Sequence, residues 1–139
     1  VYTRWIELLL EYYNDQLPEY AGLLLMYYPN IMIECYPLYM TISTIHPTGP
    51  ETSVMHCDYF HHEDVINNRP DIVEAAEAAS AETMLEDSDI CVRTAEGRKF
   101  LYEQDREEQG PYQTPFENGL AMFHHYYHRM MGVNQPMLV

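Results

Sequence analysis

The sequence predicts a single α+β domain in which an antiparallel sheet packs against a long helix. Three observations predict it. The segment from Ala21 to Phe60 is rich in apolar, aromatic and β-branched residues, which favour strands. The segment from Asp71 to Gly97 is rich in strong helix formers, and amphipathic helical patterns stand at the two ends of the chain. Because no repeat or low-complexity linker divides the 139 residues, one domain covering 1–139 is expected.

The first element is an amphipathic helix. The stretch "TRWIELLLEYYNDQ" places Trp5, Leu8, Leu9 and Tyr12 on one helical face, and Pro18 ends the pattern. The chain begins with Val1 and enters this helix at once, without an initiator methionine. We therefore expect the chain to be a piece of a longer protein.

Four strands are expected next. The segments "GLLLMYY", "NIMIECY" and "LYMTISTIH" are apolar and β-branched, and Pro29 and Pro37 separate them. The turn sequence "PTGP", residues 47–50, precedes "ETSVMHCDYF", so the last two strands are predicted to form an antiparallel hairpin.

The long helix follows a segment, "HHEDVINNR", that is expected to be a polar loop. Pro70 suits the first turn of a helix capped by Asn67 or Asn68, and the helix is predicted to run to Gly97. The charged run "KFLYEQDREEQ" either continues it or forms a turn. After "GPYQTP", the stretch "FENGLAMFHHYYHRMM" predicts a closing amphipathic helix.

Composition excludes several classes of function. Seven Lys and Arg stand against 22 Asp and Glu, a net charge of −15 that repels nucleic acid and anionic membranes. No apolar run approaches the roughly 20 residues of a membrane span, and no signal peptide is visible, so a soluble, cytoplasmic protein is expected. The three cysteines, Cys35, Cys57 and Cys91, are widely spaced and are expected to be reduced thiols.

The stretch "MLEDSDIC", residues 84–91, is the main candidate for chemistry. On a helix, Asp87 shares a face with Met84, Ile90 and Cys91, a face that we expect to lie against the sheet. A buried carboxylate needs a basic partner, a proton or a metal ion, and the small number of basic residues favours the metal. By the pattern alone, an exposed or salt-bridged aspartate is nevertheless the favoured interpretation.

Three stretches together resemble the ring-hydroxylating oxygenase α subunits, the Rieske-type non-haem iron oxygenases. They are "YYPNIMIECYPLYMTISTIHPTGPETSVMHCDYF", "MLEDSDICVRTAEG" and "FENGLAMFHHYYHRMM", in the order and spacing of the end of that family's catalytic domain. The resemblance implies a helix-grip arrangement and makes Asp87 the carboxylate of an iron site with two histidines and one carboxylate. It also implies insertion of oxygen from O₂ into an organic substrate.

The same resemblance implies parts that this chain does not carry. Two Cys-x-His pairs for a [2Fe–2S] Rieske cluster and both histidine ligands of the mononuclear Fe(II) are expected upstream, outside the chain. Cys57 follows His56 directly, which is not Cys-x-His, and the family's continuation after Cys91 is changed at Val92 and Ala95. The expected partners are O₂, a small-molecule substrate, a reductase or ferredoxin that delivers electrons from NAD(P)H, and further α subunits in a homo-oligomer.

The substrate is expected beside small residues that precede the proposed ligand on the helix: Ala76, Ala79, Ser80 and Thr83. An aromatic ring fits the family as a whole, whereas the many tyrosines and the acidic balance suit a quaternary ammonium compound. Either one or two oxygen atoms would enter the product. The alternative from another class is a non-enzymatic helix-grip module that binds an apolar small molecule.

Two other groups of residues resemble metal sites in spacing. His124 and His128 stand four residues apart on the last helix, a spacing that can bind zinc, but packing or surface histidines are the favoured interpretation. His61, His62 and Asp64 are interpreted as a solvated loop. Cys91 is interpreted as a small core residue rather than a nucleophile.

Overall fold

The computed structural model describes residues 1–16, 18–19, 21–106 and 110–133. In chain order, its elements are α1 (Tyr2–Tyr12), β1 (Leu23–Tyr27), β2 (Ile31–Tyr36), β3 (Tyr39–Gly49), β4 (Thr52–His61), α2 (Glu63–Asn68), α3 (Pro70–Glu103) and α4 (Asn118–Met130). The prediction of an α+β chain with a four-stranded antiparallel sheet and a long helix is confirmed.

The strands form a meander in the order β1-β2-β3-β4, with antiparallel pairing throughout. Side chains alternate between the two faces of a sheet, so the register decides which residues share a face. One face, called the inner face below, is turned towards α1 and α3. It carries Glu34 and Tyr36 of β2, Tyr39, Thr41 and Ser43 of β3, and Cys57, Tyr59 and His61 of β4.

The core lies where α1 and the first half of α3 meet the inner face. Trp5 and Leu9 pack with Tyr39, Ala76 and Ala79, and a second cluster contains Leu8, Val65 and Ile72. The predicted helical face of α1 is confirmed for its first three members, because Trp5, Leu8 and Leu9 are all buried. Tyr12 remains 39% exposed.

Two predictions for the region before α3 are wrong: the polar loop and the asparagine cap. The segment expected to be a polar loop contains α2, a helix of 6 residues that is anchored by the buried Val65 and capped by the ring of His62. The helix α3 begins at Pro70, as predicted, but no side chain of Asn67 or Asn68 caps it. Beyond Gly97 it continues to Glu103, so the first part of the charged run extends the helix, which is one of the two predicted alternatives. A single glycine costs a helix only about 1 kcal/mol, which is too little to end 34 residues of helix.

The second half of α3 differs from the first in its surroundings. Every residue from Leu85 to Phe100 is exposed, including the apolar Leu85, Ile90 and Val92. The closing helix α4 meets the other end of the sheet, where Tyr28 contacts the rings of Phe123 and Tyr126. Among the residues that the structure describes, no helix is long and apolar enough to cross a membrane.

Candidate metal and substrate site

The proposed carboxylate ligand lies in the middle of α3, in the exposed half of the helix. Asp87 is exposed, and so are Ile90 and Cys91 on the same face, whereas Met84 is half-buried. The expectation that this face lies buried against the sheet is therefore wrong for this chain. The interpretation of Cys91 as a core residue is wrong for the same reason. Core packing on α3 ends about two turns before Asp87.

Within the described ranges, the Asp87 carboxylate has neither a hydrogen bond nor an ion pair. Its neighbour Asp89 is different, because it pairs with Arg93 at 2.6 Å. No group of three potential metal-binding side chains occurs in the part of the chain that the structure describes. The residues present therefore fit one arm of a two-histidine, one-carboxylate site and do not fit a complete site.

The position of Asp87 relative to the sheet follows from the path of α3, which runs along β4 in the opposite chain direction. Three contacts define that path: His61 Nε2 to Glu77 Oε1 at 3.3 Å, the Tyr59 hydroxyl to the Ser80 hydroxyl at 2.9 Å, and Lys99 Nζ to Glu51 Oε1 at 2.6 Å. From Glu77 to Asp87 the helix rises about 15 Å, the length of about four to five strand residues. Asp87 is thereby level with the part of β4 around Cys57.

The four small residues expected to line a substrate cavity lie in the turns before Asp87. Ala76 and Ala79 are buried in the core beside Trp5 and Tyr39. The Ser80 hydroxyl accepts a hydrogen bond from Tyr59, and the Thr83 hydroxyl donates to the carbonyl of Ala79 at 3.1 Å. Their role in a substrate cavity stays a prediction.

Aromatic rings cover the inner face at the end of the sheet nearest α1. Tyr36 and Tyr39 stack with centroids 5.0 Å apart, and the edge of Trp5 contacts both rings. Burial, and after it the nearby Glu34 carboxylate, together raise the pKa of Tyr36 to about 12. Burial also raises the pKa of Tyr39, so both hydroxyls stay protonated at neutral pH.

His61 is the residue that sequence reasoning placed least well. The sequence pattern predicts a solvated loop, but the His61 side chain is 5% exposed, stacks on Tyr39 and lies 3.3 Å from the Glu77 carboxylate. The distance suits an ion pair with protonated His61, although the two groups are not aligned as a hydrogen bond. The cross-strand register puts Tyr39 beside His61, whereas a tight turn at residues 47–50 would put Asp58 there. The register also shifts between Pro47 and Gly49.

Glu34 was also missed from the sequence. It is the only carboxylate on the inner face as defined above, it is half-buried, and each of its oxygens accepts a hydrogen bond. The Tyr36 hydroxyl donates to Oε1 at 3.1 Å, and the Thr41 hydroxyl donates to Oε2 at 3.1 Å. The alternation in "NIMIECY" was the available signal, since it places Glu34 on the same side as Tyr36.

The remaining candidates do not assemble a metal site. His124 and His128 are half-buried on α4, where His124 Nδ1 contacts the Tyr112 hydroxyl. His62 caps α2, and the exposed Asp64 belongs to the same helix. A shallow open depression of about 480 Å³ beside Tyr39, His61 and His62 contains neither Asp87 nor Glu34.

Comparison with known proteins finds relatives that are named as hydroxylases and monooxygenases. The putrescine 2-hydroxylases of Bordetella bronchiseptica and Ralstonia nicotianae are 36% identical over 132 residues and 38% identical over 130 residues. These matches cover 95% and 94% of this chain but 31% and 36% of the relatives. The chloroplastic choline monooxygenase of Spinacia oleracea is 30% identical over 97 residues, or 70% of this chain and 21% of that protein.

The chain thus spans about a third of the length of the two hydroxylases. No solved structure matches it significantly. The family model for the ring hydroxylating alpha subunit (catalytic domain) matches residues 5–133, which is nearly the whole chain. The resemblance carried by the "MLEDSDIC" helix and the strands before it is confirmed: the chain belongs to the catalytic-domain family of the ring-hydroxylating oxygenase α subunits.

Proposed function

We propose that this chain is the C-terminal part of an oxygenase α subunit and supplies one ligand, Asp87, to a mononuclear Fe(II) site. The observation that carries the proposal is an unpartnered carboxylate on the long helix, in a chain whose sequence matches the catalytic domain. Two histidines from outside the chain would complete the site, and the iron, when bound, supplies the activation of O₂. The inner face and α3 together would form part of a helix-grip fold.

The proposed reaction is hydroxylation of a small cationic amine by one oxygen atom. The relatives named as hydroxylase and monooxygenase carry the names of putrescine and choline, an amine and a quaternary ammonium compound. The net charge of −15 attracts cations, and tyrosine rings on the inner face suit a cationic group. A Rieske cluster and a reductase or ferredoxin would deliver the electrons, in an oligomer of complete α subunits.

Within this scheme, the chain's own residues have simple tasks. Asp87 would hold the metal through its carboxylate, because no basic residue of the described chain neutralises it. Ser80, two turns before Asp87, and Thr83, one turn before it, would line the neighbouring cavity, with Ala76 and Ala79 forming its packed wall. The buried Trp5 and Tyr39 would exclude water from the closed end of the sheet.

The test is replacement of Asp87 by Ala in the complete α subunit. We expect the mononuclear iron to be lost and product formation to fall by at least about 100-fold, because replacing even a residue that only hydrogen-bonds to a metal ligand costs about 10–100-fold. The visible absorption and the reduction potential of the Rieske cluster should be unchanged, because its ligands lie elsewhere.

Matched controls are available one and two residues away. Glu86→Ala and Asp89→Ala remove equal charge from other sides of α3 and should keep the iron. If Asp87→Ala retains both iron and turnover, Asp87 is a structural residue. The chain would then be better explained as a binding module with the fold of the family alone.

A further inference from the structure

Glu34 has an unusual environment for a carboxylate in this chain. It lies near the middle of β2, is half-buried, and receives one hydrogen bond on each oxygen from the hydroxyls of Tyr36 and Thr41. Both donors are neutral. The hydroxyls fix the orientation of the carboxylate, but they leave its negative charge uncompensated.

No cationic side chain neutralises that charge within the described residues. The ion pairs found there involve other carboxylates, such as Glu82 with the N-terminus and Asp71 with Arg69. Partial burial of an unpaired charge is unfavourable, and a structural role would be served as well by a neutral glutamine. The arrangement therefore indicates a site for a positive group that binds from outside.

Glu34 faces the side of the sheet on which α3 carries Asp87. Thr41 lies between Glu34 on one neighbouring strand and Tyr59 on the other, and the Tyr59 hydroxyl reaches α3. The point on β4 that is level with Asp87 lies about two residues, or roughly 7 Å, along the strand from Tyr59. Glu34 is two strands away from β4, about 10 Å across the sheet. These offsets suit a short extended molecule lying across the inner face.

We propose that Glu34 is the residue that recognises the charged ammonium group of the substrate. Its carboxylate would accept hydrogen bonds from the ammonium, and the ring of Tyr36, which follows Glu34 by two residues on the inner face of β2, would add cation-π attraction. The inference rests on the proposed function, because it presumes an amine substrate. To that function it adds the residue that selects a positively charged substrate.

The experiment measures binding rather than turnover. Metal-free complete α subunit is titrated calorimetrically with putrescine, with the diamine one methylene longer, and with a neutral alcohol of similar length. Glu34→Gln is expected to weaken binding of putrescine by about tenfold or more, since a hydrogen bond between two charged groups is replaced by one between the ammonium and a neutral amide oxygen. Affinity for the alcohol should change little.

Two further variants sharpen the result. Asp58→Asn removes a carboxylate from the opposite face of the neighbouring hairpin and should leave amine binding unchanged. Glu34→Asp keeps the negative charge but places it one methylene closer to the backbone. The affinity for the longer diamine should therefore rise relative to the affinity for putrescine. This ratio is decisive even if Glu34→Gln fails to fold.

The outcomes separate the inference from the function on which it rests. If the unaltered subunit binds none of the amines, the proposed substrate class is wrong and the inference falls with it. If it binds putrescine and Glu34→Gln binds equally well, or if Glu34→Asp leaves the diamine ratio unchanged, Glu34 is not the recognition residue, although the proposed function stands.

Discussion

At the scale of single residues, sequence motifs located Asp87 but could not describe its surroundings. A helix pattern says which residues share a face, and Asp87, Met84 and Cys91 do share one. It does not say which face is covered. Glu34 and His61 were missed for a related reason, since their neighbours come from other strands and depend on register.

Replacing the small residues before Asp87 by phenylalanine tests whether each one lines a substrate cavity or packs in the core. Ala79→Phe should lower the free energy of unfolding by about 1–3 kcal/mol, because Ala79 is buried against other side chains and has no room for a ring. Thr83→Phe, one turn before Asp87, should instead change the range of substrates with a much smaller effect on thermal unfolding. Equal substrate ranges for Thr83→Phe and the unaltered subunit would remove Thr83 from the cavity.

The buried tyrosines predict a loss of stability in alkali. The pKa of Tyr36 is raised from 10.0 to about 12, so the folded state holds its proton where the unfolded state releases it. The stability from this difference is fully present below pH 10 and is lost as the pH rises from about 10 to 12. Chemical unfolding of the α subunit at pH 9, 10 and 11 should show the decrease.

The matched variants for this measurement are two phenylalanine replacements. Tyr36→Phe should reduce the dependence on pH, because the titrating hydroxyl is gone. Tyr27→Phe, at a side chain that is 69% exposed, should leave the dependence as it was. Identical curves for Tyr36→Phe and the unaltered protein would show that other groups govern stability in this range.

At the scale of elements, the sequence predicted every strand of the sheet and both terminal helices to within a few residues. Runs of apolar, aromatic and β-branched residues, separated by clear turn residues, made this possible. The short α2 was missed because a single turn and a half of helix has no periodicity to detect. Its stability comes from tertiary contacts, with Val65 buried against Leu8 and Ile72.

The two halves of α3 should respond differently to the same substitution. Ile72 is 1% exposed and contacts Leu8 and Val65, so Ile72→Ala should cost about 2–5 kcal/mol of unfolding free energy. Ile90 on the same helix is 58% exposed, and Ile90→Ala in this chain should change that free energy by no more than about 0.5 kcal/mol. Thermal or urea unfolding followed by circular dichroism measures both. A similar loss of unfolding free energy in the two variants would contradict the division of α3 into a buried first half and an exposed second half.

At the scale of the whole molecule, the core and the proposed chemistry occupy different parts of α3. Burial is concentrated where α1 covers the inner face, while Asp87 and the apolar side chains around it are exposed. We expect the remainder of the α subunit to cover this half of the helix and to supply the histidine ligands. Ile90→Ala should then cost more in the complete subunit than in this chain.

The last prediction concerns iron binding by this chain alone. One carboxylate cannot replace three protein ligands, and Fe(II) binds weakly among the divalent transition metals, so purified chain should retain no stoichiometric iron after dialysis. The complete α subunit, handled in parallel and assayed for iron by the same colorimetric method, should retain its mononuclear iron. Stoichiometric iron in the chain alone would contradict the requirement for outside ligands. His124 and His128 would then be the first residues to replace, because their spacing on α4 is the remaining pattern suited to a metal in the described part of the chain.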